Sequence, residues 1–221
     1  MARQTSQGKC NLCGQTFSKQ AMTRHLGKCK QEHAQRDARK QRILHLQIEG
    51  RYAPEYWLHI EIPADTSLKT LDRFLRDIWL ECCGHLSMFN IAGEAYDVDP
   101  EPDPWSGRKP KGMSAKLGDV LAPGIKFTHE YDFGTTTELT LKVVAERQGA
   151  RKSVEILARN DPPMIPCAEC GKPATQVCSQ CVYSGPEAWL CEEHALEHEC
   201  GEDYFLPVVN SPRVGMCGYT G

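Results

Sequence analysis

The spacing of cysteines restricts this chain more than any other feature. It holds 12 Cys in 221 residues, and six of them stand in Cys-x2-Cys pairs. Near the N-terminus the run is Cys10-x2-Cys13-x11-His25-x3-Cys29. Near the C-terminus it is Cys167-x2-Cys170-x7-Cys178-x2-Cys181-x9-Cys191-x2-His194-x3-His198-x-Cys200. Two Cys across a tight turn can direct both thiolates at one ion, and a tetrahedral zinc site takes four such ligands. His25 and Cys29 are one helical turn apart and share a face. The opening residues, MARQTSQGKC, have neither an apolar core nor a small-residue cleavage site. A reducing, cytoplasmic setting is therefore expected, where paired Cys bind metal rather than each other. No stretch reaches the roughly 18 apolar residues of a membrane-spanning helix, so a membrane is not expected as a partner. Twelve ligands in sets of four predict about three Zn2+ per chain. With every position filled by Cys or His, the sites are expected to be structural rather than catalytic.

Around the first site, Phe17 and Met22 stand where a ββα finger needs its small core, and Gly14 permits the left-handed backbone of the turn. Residues 1–30 resemble CCHC-type zinc fingers, with one residue fewer than usual between the second Cys and the His. So short a unit cannot bury enough surface alone, and metal binding supplies its folding energy. The eight C-terminal ligands admit two groupings. Interleaved, Cys167, Cys170, Cys191 and His194 hold one ion, and Cys178, Cys181, His198 and Cys200 the other. Sequentially, the first four Cys share an ion. This order, within a segment expected over 161–221, resembles cross-brace modules of the B-box and MYND type. That resemblance implies protein contacts.

Charge is distributed unevenly: +8 over residues 1–42, −4 over 43–160 and −7 over 161–221. A basic head can neutralise phosphates, with affinity that falls steeply as salt rises. Lys9, Lys19, Arg24, Lys28 and Lys30 surround the finger. Arg36, Arg39, Lys40 and Arg42 extend the charge along a polar segment, 31–42, expected to be an exposed helical linker. Lys19, Gln20 and Thr23 are the candidates for base edges. One finger reads only about three base pairs, so sequence-specific binding by a monomer is not expected. Docking on protein is the equal alternative for the finger. The acidic C-terminal surface (Glu192, Glu193, Glu197, Glu199, Glu202, Asp203) speaks against phosphate there.

Residues 43–160 hold the main apolar content. Ile43–Ile48 and Tyr56–Ile62 read as an antiparallel hairpin. Leu68, Leu71, Phe74, Leu75, Ile78 and Trp79 recur at helical spacing after a cap among Asp65, Thr66 and Ser67. Further strands are expected at 86–91, 95–98, 126–133, 137–147 and 154–157, with a Pro-rich surface loop over 97–112. The class is α+β: a mixed or antiparallel sheet with one principal helix, flanked by two small zinc-binding modules. LKTLDRFLRDIWLECCGHLSMF, KLGDVL and HEYDFGTTTEL occur in order and resemble the Ri-plasmid open-reading-frame-three family of mobile-element passenger proteins. The resemblance spans roughly 43–160 and implies the α+β fold. Many members follow Tyr-Asp-Phe/Tyr-Gly with an acidic residue, Trp and His; this chain has Thr135-Thr136-Thr137-Glu138 instead.

A nucleophile would start from Cys82, Cys83 and His85 with Asp132 as orienter, but no pattern sets a base beside a reactive thiol. Buried core packing is the default for such a Cys pair. His45 and His59 sit in strand patterns as structural histidines. The tail NSPRVGMCGYTG reads either as packed on its domain, with Cys217 a spare ligand, or as a frayed terminus. The expected function is that of a non-enzymatic zinc protein, binding DNA or RNA through its head and protein partners through its acidic module. The alternatives are a pure protein adaptor and an enzyme with an unrecognised site in the core.

Overall fold

The structure, a computed structural model, describes residues 6–33, 40–102, 107 and 109–221. They form two compact units: Met1–Leu75 with Leu86–Asp161, and Arg76–His85 with Pro162–Gly221. The α+β expectation holds.

The first unit begins with β1 (Gln7–Cys10), β2 (Thr16–Ser18) and α1 (Lys19–Glu32). Ser18 caps α1 by accepting from the Ala21 N–H, the role short hydroxylic side chains fill at helix starts. Then come β3 (Gln41–Gly50), β4 (Trp57–Pro63) and α2 (Leu68–Leu75). The strands β5 (Ser87–Ile91), β6 (Glu94–Asp97) and β7 (Lys111–Gly112) precede a short α3 (Leu117–Val120). The long β8 (Lys126–Tyr131), β9 (Thr137–Gly149) and β10 (Glu155–Asn160) finish the unit. Among the described residues, ten strands make one sheet in the order β2-β1-β10-β4-β3-β9-β8-β5-β6-β7. All the pairings are antiparallel except β6 with β7. The finger is thus not a separate bead, because Gly8 stands opposite Asn160 and Cys10 opposite Ala158.

Part of the expected linker, residues 34–39 with Arg36 and Arg39, lies outside the described residues. At its ends Glu32 closes α1, and Gln41 and Arg42 already belong to β3. Residues 103–106 and 108 of the Pro-rich segment also lie outside. The principal helix is shorter than its apolar periodicity suggests. α2 stops at Leu75, and Arg76–Leu80 widens into a π-helical turn in which the Glu81 N–H reaches the Arg76 carbonyl at 2.9 Å.

β4 is buried along its whole length. Alternation along the strand puts Trp57, His59 and Glu61 on one face, and α1 covers that face. Met22 and Leu26 pack with Trp57, Leu157 and Ala158. Thr23 Oγ1 lies 3.4 Å from His59 Nε2, and Lys30 Nζ lies 3.5 Å from Glu61 Oε1.

A buried polar chain runs under the helix. Lys30 Nζ donates to His45 Nδ1 at 3.0 Å, and His45 Nε2 meets His59 Nδ1 at 3.0 Å. Since Lys30 can only donate, His45 carries its proton on Nε2 and passes a hydrogen bond to His59, which does the same toward Thr23. This order requires both rings to be neutral. Burial, reinforced by the Lys30 charge, lowers His45 to about 2 and His59 to about 3. Both histidines protonate more readily in the unfolded chain, whose value is about 6.5. Their neutral burial therefore costs nothing above about pH 6.5, and stability falls as pH drops below it. Between about pH 7 and pH 5 the two together should lose about 4 kcal/mol. Denaturant titrations of wild type and of His45→Asn/His59→Asn check this. The double variant should show a distinctly flatter acid limb, and equal limbs would refute the assignment.

Candidate metal centres

Among the described residues, four sets of Cys and His side chains come together, each with its ligand atoms within 4.8 Å of one another. Three are built from the twelve residues singled out by spacing. Cys10, Cys13, His25 and Cys29 form the first, with Cys10 and Cys29 sulfurs 4.0 Å apart and Cys13 Sγ 3.3 Å from His25 Nε2. Cys10 ends β1, Cys13 follows a tight turn, and His25 and Cys29 sit on successive turns of α1. The turn closes by a 2.8 Å bond from the Gly14 N–H to the Cys10 carbonyl, with Gly14 at φ +77°. Phe17 stacks on His25, ring centroids 4.2 Å apart, and fixes the imidazole.

The second unit contains the other two sets. Its regular elements are β11 (Gln176–Cys178), β12 (Trp189–Leu190), α4 (Glu192–Ala195) and β13 (Phe205–Pro207), with β11 central in a small antiparallel sheet. The interleaved grouping is the one brought together. Cys167, Cys170, Cys191 and His194 form one set, and Cys178, Cys181, His198 and Cys200 the other. Cys170 Sγ lies 3.8 Å from Cys191 Sγ, and His194 Nδ1 lies 3.2 Å from Cys191 Sγ. In the other set Cys181 Sγ is 3.4 Å from His198 Nε2 and 3.7 Å from Cys200 Sγ. The Cys167 turn repeats the Cys10 turn: Gly171, at φ +70°, donates to the Cys167 carbonyl at 3.0 Å.

Electrostatics within the sets differ by position. Burial works against ionisation of Cys167, yet backbone N–H groups of Cys191, Cys170 and Glu169 hold its thiol at about 6. Burial and the neighbouring thiols push Cys29 up to about 12. In Cys181 the Cys200 thiol is the leading cause of a rise to about 12. Crowded thiols therefore retain protons until a cation arrives, and metal uptake releases them. Four soft donors with sulfur–sulfur spacings near 3.8 Å suit a tetrahedral, borderline-soft divalent ion.

A fourth set was not anticipated. Cys82, Cys83 and His85 meet Cys217, all within the second unit. Cys82 and Cys83 are therefore not simply core residues: Cys82 is half-buried and Cys83 exposed. Asp132, considered beside them as an orienter, instead closes a local turn by accepting from the Gly134 and Thr135 N–H groups.

The basic residues of the head divide into two groups. Lys9, Gln20, Arg24, Lys28 and Lys40 are exposed. Lys30 is buried against Glu61 and His45. Lys19 Nζ is held by Glu49 at 2.6 Å and by the Pro54 carbonyl, and Thr23 faces His59. Arg42 is exposed but forks onto Glu146 at 2.9 Å through both Nε and Nη2. Lys19, Thr23, Lys30 and Arg42 are thus engaged by neighbouring groups of the same unit. The signal for Lys30 was present in the periodicity: Met22, Leu26 and Lys30 recur every four residues, on the buried stripe of α1. Among the described residues, no helix is long and apolar enough to cross a membrane.

A model of the family described as plasmid pRiA4b ORF-3-like protein matches residues 41–172. No curated protein matches the chain. Among solved structures, a protein of unknown function from Methanosarcina mazei Go1, MM3350, is similar over 55% of this chain and 69% of its own, at 15% identity and a TM-score of 0.39.

Proposed function

The chain belongs to the plasmid pRiA4b ORF-3-like family, and from that premise we propose a non-catalytic zinc protein that binds nucleic acid through the exposed face of α1. The observation that carries this reading is how the charge on that helix is arranged. Its exposed residues are Gln20, Arg24, Gly27, Lys28, Gln31 and Glu32, so Arg24 and Lys28 face water together and the one acid, Glu32, stands at the last position of the helix. Lys9 is exposed on the adjoining β1. The three metal sets foreseen from spacing hold zinc and fix the surfaces that present these groups. Each is filled by four Cys or His ligands, which leaves no position for an activated water. The surface is small and offers phosphate contacts rather than base readout, so binding is weak, sequence-independent and salt-sensitive.

The test is salt-dependent binding to random-sequence DNA and RNA. About three phosphate contacts give a log–log salt slope of roughly −2 to −3. Arg24→Glu/Lys28→Glu should abolish binding at moderate salt, and the single variants should each lower the slope by about one. Binding that survives the double reversal with its slope intact would defeat the proposal.

A second reading, the protein adaptor, is favoured by the C-terminal surface. Leu196 is 70% exposed and Tyr183 67%. Near Leu196 in sequence stand Glu192, Glu193, Glu197 and Glu199, all exposed. Large apolar side chains left in water among acids suit a basic protein partner better than phosphate.

A further inference from the structure

We propose that Cys82, Cys83, His85 and Cys217 form a fourth zinc site, which fastens the C-terminal tail to the segment following the π-helical turn. The distances are close to the edges of a tetrahedral zinc site. With Zn–S of about 2.3 Å and Zn–N of about 2.0 Å, the edges are about 3.8 Å between sulfurs and about 3.5 Å between sulfur and nitrogen. Observed here are 3.4 Å for Cys82–Cys83, 3.9 Å for Cys83–Cys217, and 3.0 and 3.3 Å from His85 Nε2 to Cys83 and Cys217. Two of these edges match within about 0.2 Å, the other two are shorter by about half an ångström, and all four ligand atoms lie within 4.8 Å of one another.

The surrounding structure is built to hold the four in place. Arg76 bonds the His85 carbonyl at 2.7 Å and Glu81 at 2.9 Å, and Glu81 in turn accepts from the Gly84 N–H at 2.6 Å. Gly84 at φ +79° turns the chain so that Cys83 and His85 face the same point. On the tail, Cys217 itself adopts φ +47°, a conformation that costs a side-chain-bearing residue energy and persists where the surroundings impose it. Ser211 donates to the Trp79 carbonyl at 2.6 Å, and Tyr219 is 3% exposed, so the tail is anchored on both sides of Cys217. Arg213, fully buried, donates to Cys82 Sγ at 3.4 Å.

This site differs from the other three in exposure. Each of those has at least one buried ligand, whereas here Cys83 and Cys217 are exposed and Cys82 and His85 are half-buried. It should therefore be the first to yield its ion to a water-soluble chelator. Its ligands also come from positions 132 to 135 residues apart, so one ion closes a long loop, the case in which a cross-link removes most entropy from the unfolded chain.

Metal analysis of the full chain, purified under reducing conditions, tests the proposal. Four zincs per chain are expected, and Cys217→Ser should hold three with its secondary structure unchanged. Cys83→Ser provides an independent second variant with the same expected loss. Substitution with Co2+ gives a spectroscopic check, since Cys217→Ser should remove about a quarter of the thiolate-to-metal absorption. Three zincs in wild type and an unchanged count in both variants would overturn the fourth site while leaving the three-zinc reading intact. A disulfide among these Cys under reducing conditions would also overturn it. Absence of any zinc would sink both.

Discussion

Under the zinc reading proposed above, removing the metal should unfold Pro162–Gly221 and leave the large sheet standing. The second unit has little else to hold it. Its strands are two or three residues long and α4 spans four. One buried cluster is Cys167, Leu190, Cys191 and Ala195, with Phe205 against it, and two of its four buried members are candidate ligands; the other buried apolar side chains of Pro162–Gly221 are few, Ala174, Val177, Ala188, Val214 and Tyr219. Structural zinc contributes roughly 10–16 kcal/mol in small modules of this sort, far more than so few apolar side chains can replace. Cys178→Ser should be the harshest single change, because Cys178 is wholly buried on the central strand. It should release at least one zinc and abolish slow hydrogen exchange through β11–β13. The strands β3, β4, β8 and β9 should keep theirs, since their core of Leu44, Leu46, Ile60, Leu139 and Leu141 contains no ligand. Protected amides persisting in β11–β13 under excess chelator would show that metal is not what folds this unit.

Glu61→Ala should cost about 3–5 kcal/mol of stability, the penalty of leaving buried charge without its partner. Glu61 is wholly buried and is the shared anion of three cations. Arg147 forks onto it at 2.7 and 2.5 Å, Arg151 reaches it at 3.2 Å and Lys30 at 3.5 Å. Burial opposes its ionisation, but Arg147, Lys30 and Arg151 together hold its carboxyl below the usual carboxylate range. Removing it strands Lys30 next to His45, in a space where burial already drives the ammonium downward. Lys30→Met/Glu61→Met removes both partners of one pair and should recover part of the loss, because an apolar pair leaves less unpaired charge. Chemical denaturation measures all three proteins. A Glu61→Ala loss below about 1 kcal/mol would mean water reaches the site and shields it.

The contrast between foreseen and unforeseen features follows from sequence distance. Each of the three anticipated ligand sets spans fewer than 35 residues, and the turn chemistry that gathers them (a Cys-x2-Cys pair in each, followed by Gly in two, and one helical turn between His25 and Cys29) is local. Cys217 meets Cys83 across 134 residues, and only tertiary structure reveals that meeting. The β3–β4 hairpin was legible from alternation and a short connection. Pairing of β1 with β10 was not, since nothing in GlnGlyLysCys announces a partner some 150 residues away. Lys30 shows a different limit. A count of charge treats all lysines alike, whereas helical phase separates Lys30, on the apolar stripe, from Lys28, two positions earlier and in water.

The position of β1 in the sheet gives the finger a second consequence. Without β1 and β2, β10 would be the terminal strand, offering the backbone donors and acceptors of Glu155–Asn160 to any extended chain that passed. The β1–β2 hairpin, which carries the candidate ligand Cys10, occupies that row, and Gly8 lets it come close: a Cβ there would stand 2.3 Å from the Arg159 carbonyl oxygen. The ion held by Cys10, Cys13, His25 and Cys29 would then guard against self-association, so that zinc starvation threatens this protein with aggregation through an otherwise intact sheet.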